Sequence, residues 1–438
     1  MSDRRPRPKG GRGVFRSLKV RNFRLFATGQ LLSVTGTWMM VVAQDWLVLD
    51  LTGDSGLALG LVTATQFGPM LLFTLYGGKL ADRHDKRLLL GLCNAGSLAG
   101  ALWLAVMVLS DSVRLWHVFA FAFFLGLVNS LEVPTRMSFV GEMVGPRLLP
   151  NASALSAAYF NVARVIGPAL AGLIISVFGV GPVMAFNAVS YSAVLVCLRL
   201  MRPDELRAPV TRQRGGVRDG LRHMRDRPAL MTPLLLVLLV SVFALNFQLT
   251  LPLLAKNVFH ADARSFGLLT AAFSFGSLCA ALATATRTRR PSSRTVVMSA
   301  AVFGLLETVA GWSPGLLAGA TLLAATGCAS VYFGQAANHR VQLGADPGYR
   351  GRVLAVYTLI MQGSTPIGAL IMGWIISHYG VRAGLWLGGA VAVLAAAAAA
   401  VLEHSRAAPV TKASRPTESG PLSPDHSAAS DRASDRSW

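Results

Sequence analysis

The chain is poor in charge. Only 14% of its 438 residues are Asp, Glu, Lys or Arg, while 53% are hydrophobic and the mean hydropathy is +0.50; a water-soluble domain carries about 25% charge. That excludes a soluble globule. Cysteine is equally sparse: Cys93, Cys197, Cys279 and Cys328 stand far apart in apolar runs. With no CxxC spacing and no neighbouring His, they read as small buried apolar residues rather than disulfide or metal partners. The sequence also lacks HExxH, GxxxxGK[ST], a GxSxG with a suitable His, and any acidic metal cluster. Metal-assisted hydrolysis, nucleotide hydrolysis and intramembrane acyl chemistry have no visible machinery. The expectation is a protein that is not an enzyme and that needs no metal and no cofactor.

What the chain does have is long apolar runs. A hydrocarbon core about 30 Å thick needs roughly 20 apolar residues per helix, and cutting at charged or Gly/Pro-rich breaks leaves twelve such runs. They are continuous rather than alternating, which excludes barrel strands and leaves helices as the one structure that satisfies its own backbone in lipid. The fold expected is an all-α membrane protein of twelve transmembrane helices in two pseudo-symmetric six-helix bundles. The segments are a basic cytoplasmic N-terminal arm at 1–24, a first bundle at 25–201, an Arg-rich cytoplasmic linker at 202–229, a second bundle at 230–402 and a polar tail at 403–438. The tail is too polar to bury a core and reads as disordered. The arm resembles a signal-peptide n-region, but the apolar run after it is about 25 residues long and lacks a cleavage site, so it is expected to remain as the first helix.

The 41 Lys plus Arg against 21 Asp plus Glu give a formal charge of +20, which in a soluble protein would suggest nucleic acid as partner. With the amino terminus inside, only Arg114, Lys256, Arg264 and Arg382 fall on external loops. The excess is therefore a positive-inside signature that places both termini in the cytoplasm, aided by anionic lipid heads. No nucleic-acid partner is expected.

An internal repeat is visible. An offset of 201 lays Gly167 on Gly368, Gly172 on Gly373 and Gly179 on Gly380, linking the fifth and eleventh helices, and an offset of 207 lays Gly60 on Gly267, linking the second and eighth. Six helices return the second copy to the same side, so the repeats are parallel, and a cleft between them is the natural substrate pathway. Polar stripes mark its wall. Thr35, Trp38, Val42 and Asp45 share a face of the first helix, Asn129, Glu132 and Arg136 a face of the fourth, and Asn161, Arg164 and Pro168 a face of the fifth. Ionisable residues at this depth are costly and point to function, which makes Asp45, Glu132 and Arg136 candidates for proton coupling. Ion pairing between helices, with Arg164 as a further partner, is the structural alternative. Trp38, Gln66, Asn129, Asn161, Asn246, Gln248, Gln335, Asn338 and Gln362 are candidates for the substrate cavity, against plain interhelical hydrogen bonding. Tyr159 and Tyr332 could add aromatic wall, and Glu307, near the outer end of a peripheral helix, reads more as a structural residue than as a transport residue.

The turn from Gly78 to Leu90 reads GKLADRHDKRLLL. It resembles motif A of the major facilitator superfamily, GxLxDRxGRKxxL, with Gly78, Leu80, Asp82, Arg83, Lys86, Arg87 and Leu90 in place and Asp85 standing where the pattern has Gly. The resemblance implies a gate: Asp82 meets the positive end of a helix from the other half, Gly78 permits close approach, and Arg83 and Arg87 support the charge. The second-half turn at Arg287 to Pro291 carries no acid, so that copy has decayed. Arg164 to Gly172 resembles the antiporter motif GxxxGPxxGG through Gly167, Pro168 and Gly172, with Ala163 and Ala171 replacing two glycines. The usual Arg-rich pattern of proton-linked exporters is absent from the fourth helix, where Pro134-Thr135-Arg136 stands. From Val20 to Leu402 the chain is similar to bacterial facilitators that include the enterobactin exporter and macrolide efflux proteins.

The function expected is secondary active transport in a bacterial cytoplasmic membrane, by a monomer that exchanges entering protons for an amphipathic small molecule such as an antibiotic or siderophore. Proton-coupled import of a small metabolite is the alternative. A transport-silent sensor is a weaker one.

Overall fold

The computed structural model describes residues 15–206, 228–284, 291–346 and 349–407. Among these, twelve helices are long and apolar enough to cross a membrane. In the first half they are α1 (Arg21–Thr52), α2 (Gly56–Arg83), α3 (Lys86–Leu109), α4 (Leu115–Val144), α5 (Leu149–Phe178) and α6 (Val180–Leu200). In the second half α7 (Pro228–Phe243) runs on through a short helix at Phe247–Leu253 and a π turn at Leu254–Val258. It is followed by α8 (Ala263–Thr284), α9 (Ser293–Ala310), α10 (Leu316–Gly344), α11 (Arg350–Tyr379) and α12 (Val381–Ala407). Most of the expected linker and tail, and the decayed turn at Arg287, lie outside the described residues.

The breaks between helices follow from local chemistry. At the α1–α2 turn, Gly53 adopts φ +60° and Asp54 φ +67°, a left-handed pair that ends α1. Ser55 then caps α2 by accepting from the Ala58 amide at 3.2 Å. At the α2–α3 turn, Asp85 accepts from the amides of Arg87 at 2.7 Å and Leu88 at 3.2 Å. The residue that departs from motif A is thus the N-cap of α3. Asp262 caps α8 in the same way, accepting from the Ser265 amide at 3.0 Å; that amide above all holds its carboxyl below the usual Asp range.

The repeat read from the sequence reappears as a pair of contacts between the halves. Gly60 of α2 faces α11: a β-carbon there would stand 2.4 Å from the Ala369 carbonyl oxygen and 3.3 Å from the Gly373 α-carbon. Its repeat mate Gly267 of α8 faces α5, with 2.4 Å to the Pro168 carbonyl oxygen and 3.0 Å to the Gly172 α-carbon. Offsets of 207 and 201 turn one contact into the other, which is what a two-fold axis along the membrane normal requires. Small residues let these backbones touch, and backbone contact is how apolar helices gain packing energy in lipid.

All these contacts lie at the end of the molecule that carries the α1–α2 turn. There the Ser377 hydroxyl also accepts from the Leu57 amide at 2.8 Å, and Trp46 of α1 stacks on Phe266 of α8 with ring centroids 6.3 Å apart. Toward the other end the same face of α2 opens: among the described residues, nothing lies within 4 Å of where a β-carbon on Gly78 would be. The halves therefore form a V, joined at the α1–α2 end. One asymmetry breaks the repeat: α9 has 18 residues where α3 has 24.

Cysteines depart in part from their sequence reading. Cys93 is buried, but Cys197 and Cys328 are half-buried and Cys279 is exposed on α8. Lipid solvates a thiol as readily as a protein core does.

Candidate transport cavity

Between the arms of the V lies a cavity of about 700 Å³ whose wall draws on both halves, the size of pocket that holds a drug-sized molecule. From the expected stripes, Trp38, Val42 and Asp45 line it from α1, Asn129, Glu132 and Arg136 from α4, and Arg164 and Pro168 from α5. Gln66 contributes from α2, Gln248 from the α7 continuation, and Gln335 and Asn338 from α10. Three amides expected in this wall lie outside it. Asn161 turns back to donate to the Ala157 carbonyl at 2.7 Å. Asn246 is buried at the break in α7, where its amide donates to the Val242 carbonyl at 2.7 Å, behind the wall against Gly368. Gln362 is exposed, one position beyond the wall residue Met361. Helical phase explains Asn161 and Gln362, each one position from a wall residue, Phe160 and Met361, since one residue is about 100° of rotation; Asn246 lies at the helix break, between the wall residues Leu245 and Phe247. Tyr159 and Tyr332 are also outside the wall, and Tyr191 and Tyr357 stand in it instead.

The charged groups of the wall differ in their partners. Glu132 and Arg136 pair with each other at 3.4 Å, one helical turn apart, and Arg136 also donates to Gln30 on α1 at 3.3 Å. Asp45 is only 6% exposed, and its Oδ2 is buried with no hydrogen-bond partner. Arg164 forms no ion pair among the described residues; its guanidinium stands 5.5 Å from the Trp38 ring and 5.8 Å from the Phe273 ring. Gly167, one turn along α5, admits Trp38 so closely that a β-carbon would meet its Cβ at 2.7 Å. The two glycines of the antiporter-like stretch therefore serve different contacts, Gly167 inside the first half and Gly172 across to the second.

Glu307 is a second buried acid that has no partner among the described residues. It is 3% exposed with Oε2 unsatisfied, and it lies outside the cavity wall, between α9 and Gly388 of α12.

The motif A residues divide into two groups. Asp82 and Arg83 are exposed at the open end, beside Leu80 and the empty face of Gly78. Lys86 is buried and pairs with Glu142 of α4 at 2.6 Å. Arg87 donates to the Leu198 carbonyl at 2.8 Å and the Arg199 carbonyl at 3.3 Å, at the end of α6, where unpaired helix carbonyls attract a cation. These two basic residues hold the first half together.

Sequence reasoning missed a cluster at the closed end. Lys256, at the end of the seventh span, reaches Asp50 at 2.5 Å and Asp54 at 2.8 Å on the other half, and its ammonium sits 5.0 Å from the Trp46 ring. The available signal was two acids four residues apart at a helix end, and one of the few bases on that side.

The chain matches, over residues 13–428, the family described as transmembrane secretion effector. It belongs to that family of the major facilitator superfamily. Among curated relatives it is similar to the multidrug efflux pump Tap of Mycolicibacterium fortuitum, 25% identical over 82% of this chain and 90% of that one. It is also similar to the staphyloferrin A transporter of Staphylococcus aureus, 26% identical over 59% of this chain; there it spans 65% of the relative's length, just under two thirds. The fold matches a solved bacterial homologue of the lysosomal transporter Spinster, in an inward-facing and unoccupied conformation, with a TM-score of 0.70 over 88% of this chain and 97% of that one at 15% identity. By its family the chain is thus a multi-pass bacterial membrane transporter and not an enzyme.

Proposed function

We propose that this transporter is an exporter in the cytoplasmic membrane that expels an amphipathic small molecule in exchange for protons. Both termini face the cytoplasm in this reading, because the basic residues concentrate on that side. The α1–α2 end is then external, and the V opens inward.

The observation that carries the proposal is Asp45, a carboxyl in the wall of a cavity shared by both halves, with neither a counter-charge nor a hydrogen-bond donor among the described residues. A bare carboxylate in such a wall is expensive, so the closed-outside arrangement favours the proton-bearing acid. Opening outward would return Asp45 to water at the external end. For protons to enter, Asp45 must take up its proton from the external water while the cavity is open outward, and the exported molecule arriving in the inward-open cavity must displace that proton toward the cytoplasm. Glu132 is held by Arg136 and is the weaker candidate. The printed role of one relative, multidrug efflux, supports outward movement of a small molecule. Asp82 and Gly78, idle at the open inner end, would form their contact when that end closes.

The test uses inverted membrane vesicles and a compound to which a deletion strain becomes sensitive. Asp45→Asn should abolish uptake driven by an imposed pH gradient while leaving downhill exchange of the compound. Unchanged gradient-driven uptake in Asp45→Asn, in Glu132→Gln and in the double variant would defeat the coupling proposal.

A further inference from the structure

We propose that Arg164 is an anion-binding group in the cavity wall, and that the exported molecule is an organic anion with an apolar body. This rests on the efflux reading and narrows its substrate class. A guanidinium stays charged in a protein, and a charge placed within membrane helices needs a counter-charge. The other base in the cavity wall has one, Arg136 with Glu132, and outside the wall Lys86 has Glu142, Lys256 has Asp50 and Asp54, and Arg87 has the carbonyls at the end of α6. Arg164 alone lines the cavity with no carboxylate beside it and only the rings of Trp38 and Phe273 for company. Aromatic faces favour a cation but leave its charge uncancelled and its N–H fork unfilled. That fork matches a carboxylate with two parallel hydrogen bonds.

The site is built rather than incidental. Gly167 seats α5 on Trp38 with no room for a side chain, which fixes Arg164 and the indole in register on the first half. Phe273 reaches the guanidinium from α8 of the second half, and Phe160 packs edge-on against Trp38 at 5.9 Å. The surroundings of the fork are thus aromatic, suited to the apolar body of an amphiphile. Since Arg164 touches both halves, an anion seated on it senses whether they have closed.

The test is binding of 1-pyrenebutyrate and of its uncharged methyl ester to the purified full chain in phosphatidylcholine nanodiscs at neutral pH, read by quenching of tryptophan fluorescence. The native protein should bind the acid on the order of 10- to 100-fold more tightly than the ester, the range for a hydrogen bond to a charged group. Arg164→Gln should erase that preference without changing ester binding, and Arg164→Lys should restore part of it. Equal binding of acid and ester by the native protein, or a loss of both alike in Arg164→Gln, would overturn the proposal. If Arg164→Gln does not insert, the native comparison together with Arg164→Lys decides. A phosphatidylglycerol headgroup offers the same anionic chemistry, so the titration is repeated in discs containing that lipid. Unchanged affinity supports a dissolved substrate; an Arg164-dependent loss would give the site to lipid and overturn the substrate assignment. No gradient is applied, so failure of proton coupling leaves this result standing, and the reverse also holds.

Discussion

One face of α2 meets the second half at Gly60 and stands clear of it at Gly78. The two residues lie on the same stripe of the same helix, so neither composition nor helical phase distinguishes them. The difference lies in what the opposite half offers. At Gly60 the Ala369–Gly373 segment of α11 comes within backbone contact, with an ion cluster and a stacked ring pair around it; at Gly78 no described residue faces it within 4 Å. A glycine on this face is thus a contact waiting for a partner, and closing one end is the same rigid rotation that opens the other.

The comparison can be broken most severely at its closed end. Gly60→Leu should force α2 and α11 apart, since even a β-carbon meets the Ala369 carbonyl at 2.4 Å. Overpacking of this kind costs about 1–3 kcal/mol. Transport in vesicles should fall by about 10-fold or more, and spin-label distances between the α1–α2 turn and the end of α11 should lengthen. Native distances in the variant would show that the seam is not needed for closure.

A smaller effect should come from the open end. Asp82→Asn is expected to slow turnover several-fold while leaving folding, insertion and the closed-end distances unchanged, because Asp82 is exposed in this conformation. Normal turnover in reconstituted protein would remove Asp82 from the gate.

The ion cluster should matter less than the glycines. Lys256, Asp50 and Asp54 are 21%, 50% and 35% exposed, so water screens their attraction to about 1 kcal/mol or less. Lys256→Ala should shift the population toward the outward-open form by a few-fold, measured by the same distances, and high salt should shrink the difference between variant and native protein.

The smallest effect on the balance between the two ends, one confined to stability, concerns the turn before α8. Hydrogen bonds at the N-cap depress the Asp262 carboxyl in the folded state, so its contribution is fully present above the unfolded pKa of about 3.9 and is lost as pH falls through the lower folded value. Asp262→Ala should cost about 1 kcal/mol at neutral pH and nothing in strong acid, checked by thermal unfolding in detergent across pH. A constant difference would mean that the cap does not titrate with folding.

The architecture was legible because length and continuity of apolar runs are set by the bilayer and need no tertiary knowledge. The repeat was legible for a related reason: glycines held in place by backbone contact survive divergence, and Gly60, Gly172, Gly267 and Gly373 are the residues that touch. Cavity placement was readable where a stripe carried several polar residues, as on α1 and α4. It failed for Asn246 and Gln362, isolated amides with no neighbours to fix their phase, and for Asn161, which shares a stripe with the wall residues Arg164 and Pro168 but spends its amide on the Ala157 carbonyl of its own helix. Lys256 escaped notice because its partners lie about 200 residues away, joined only by the association of the halves.

The short α9 carries one more consequence. Its 18 residues rise about 27 Å, against about 48 Å for the 32 residues of α1, and a hydrocarbon layer averages about 30 Å. Lipid beside α9 must thin or the helix must stand upright, whereas α1 can tilt freely within its bundle. The annulus around the protein is therefore uneven in height, and the second half rides in the bilayer with less tolerance for thick membranes than the first.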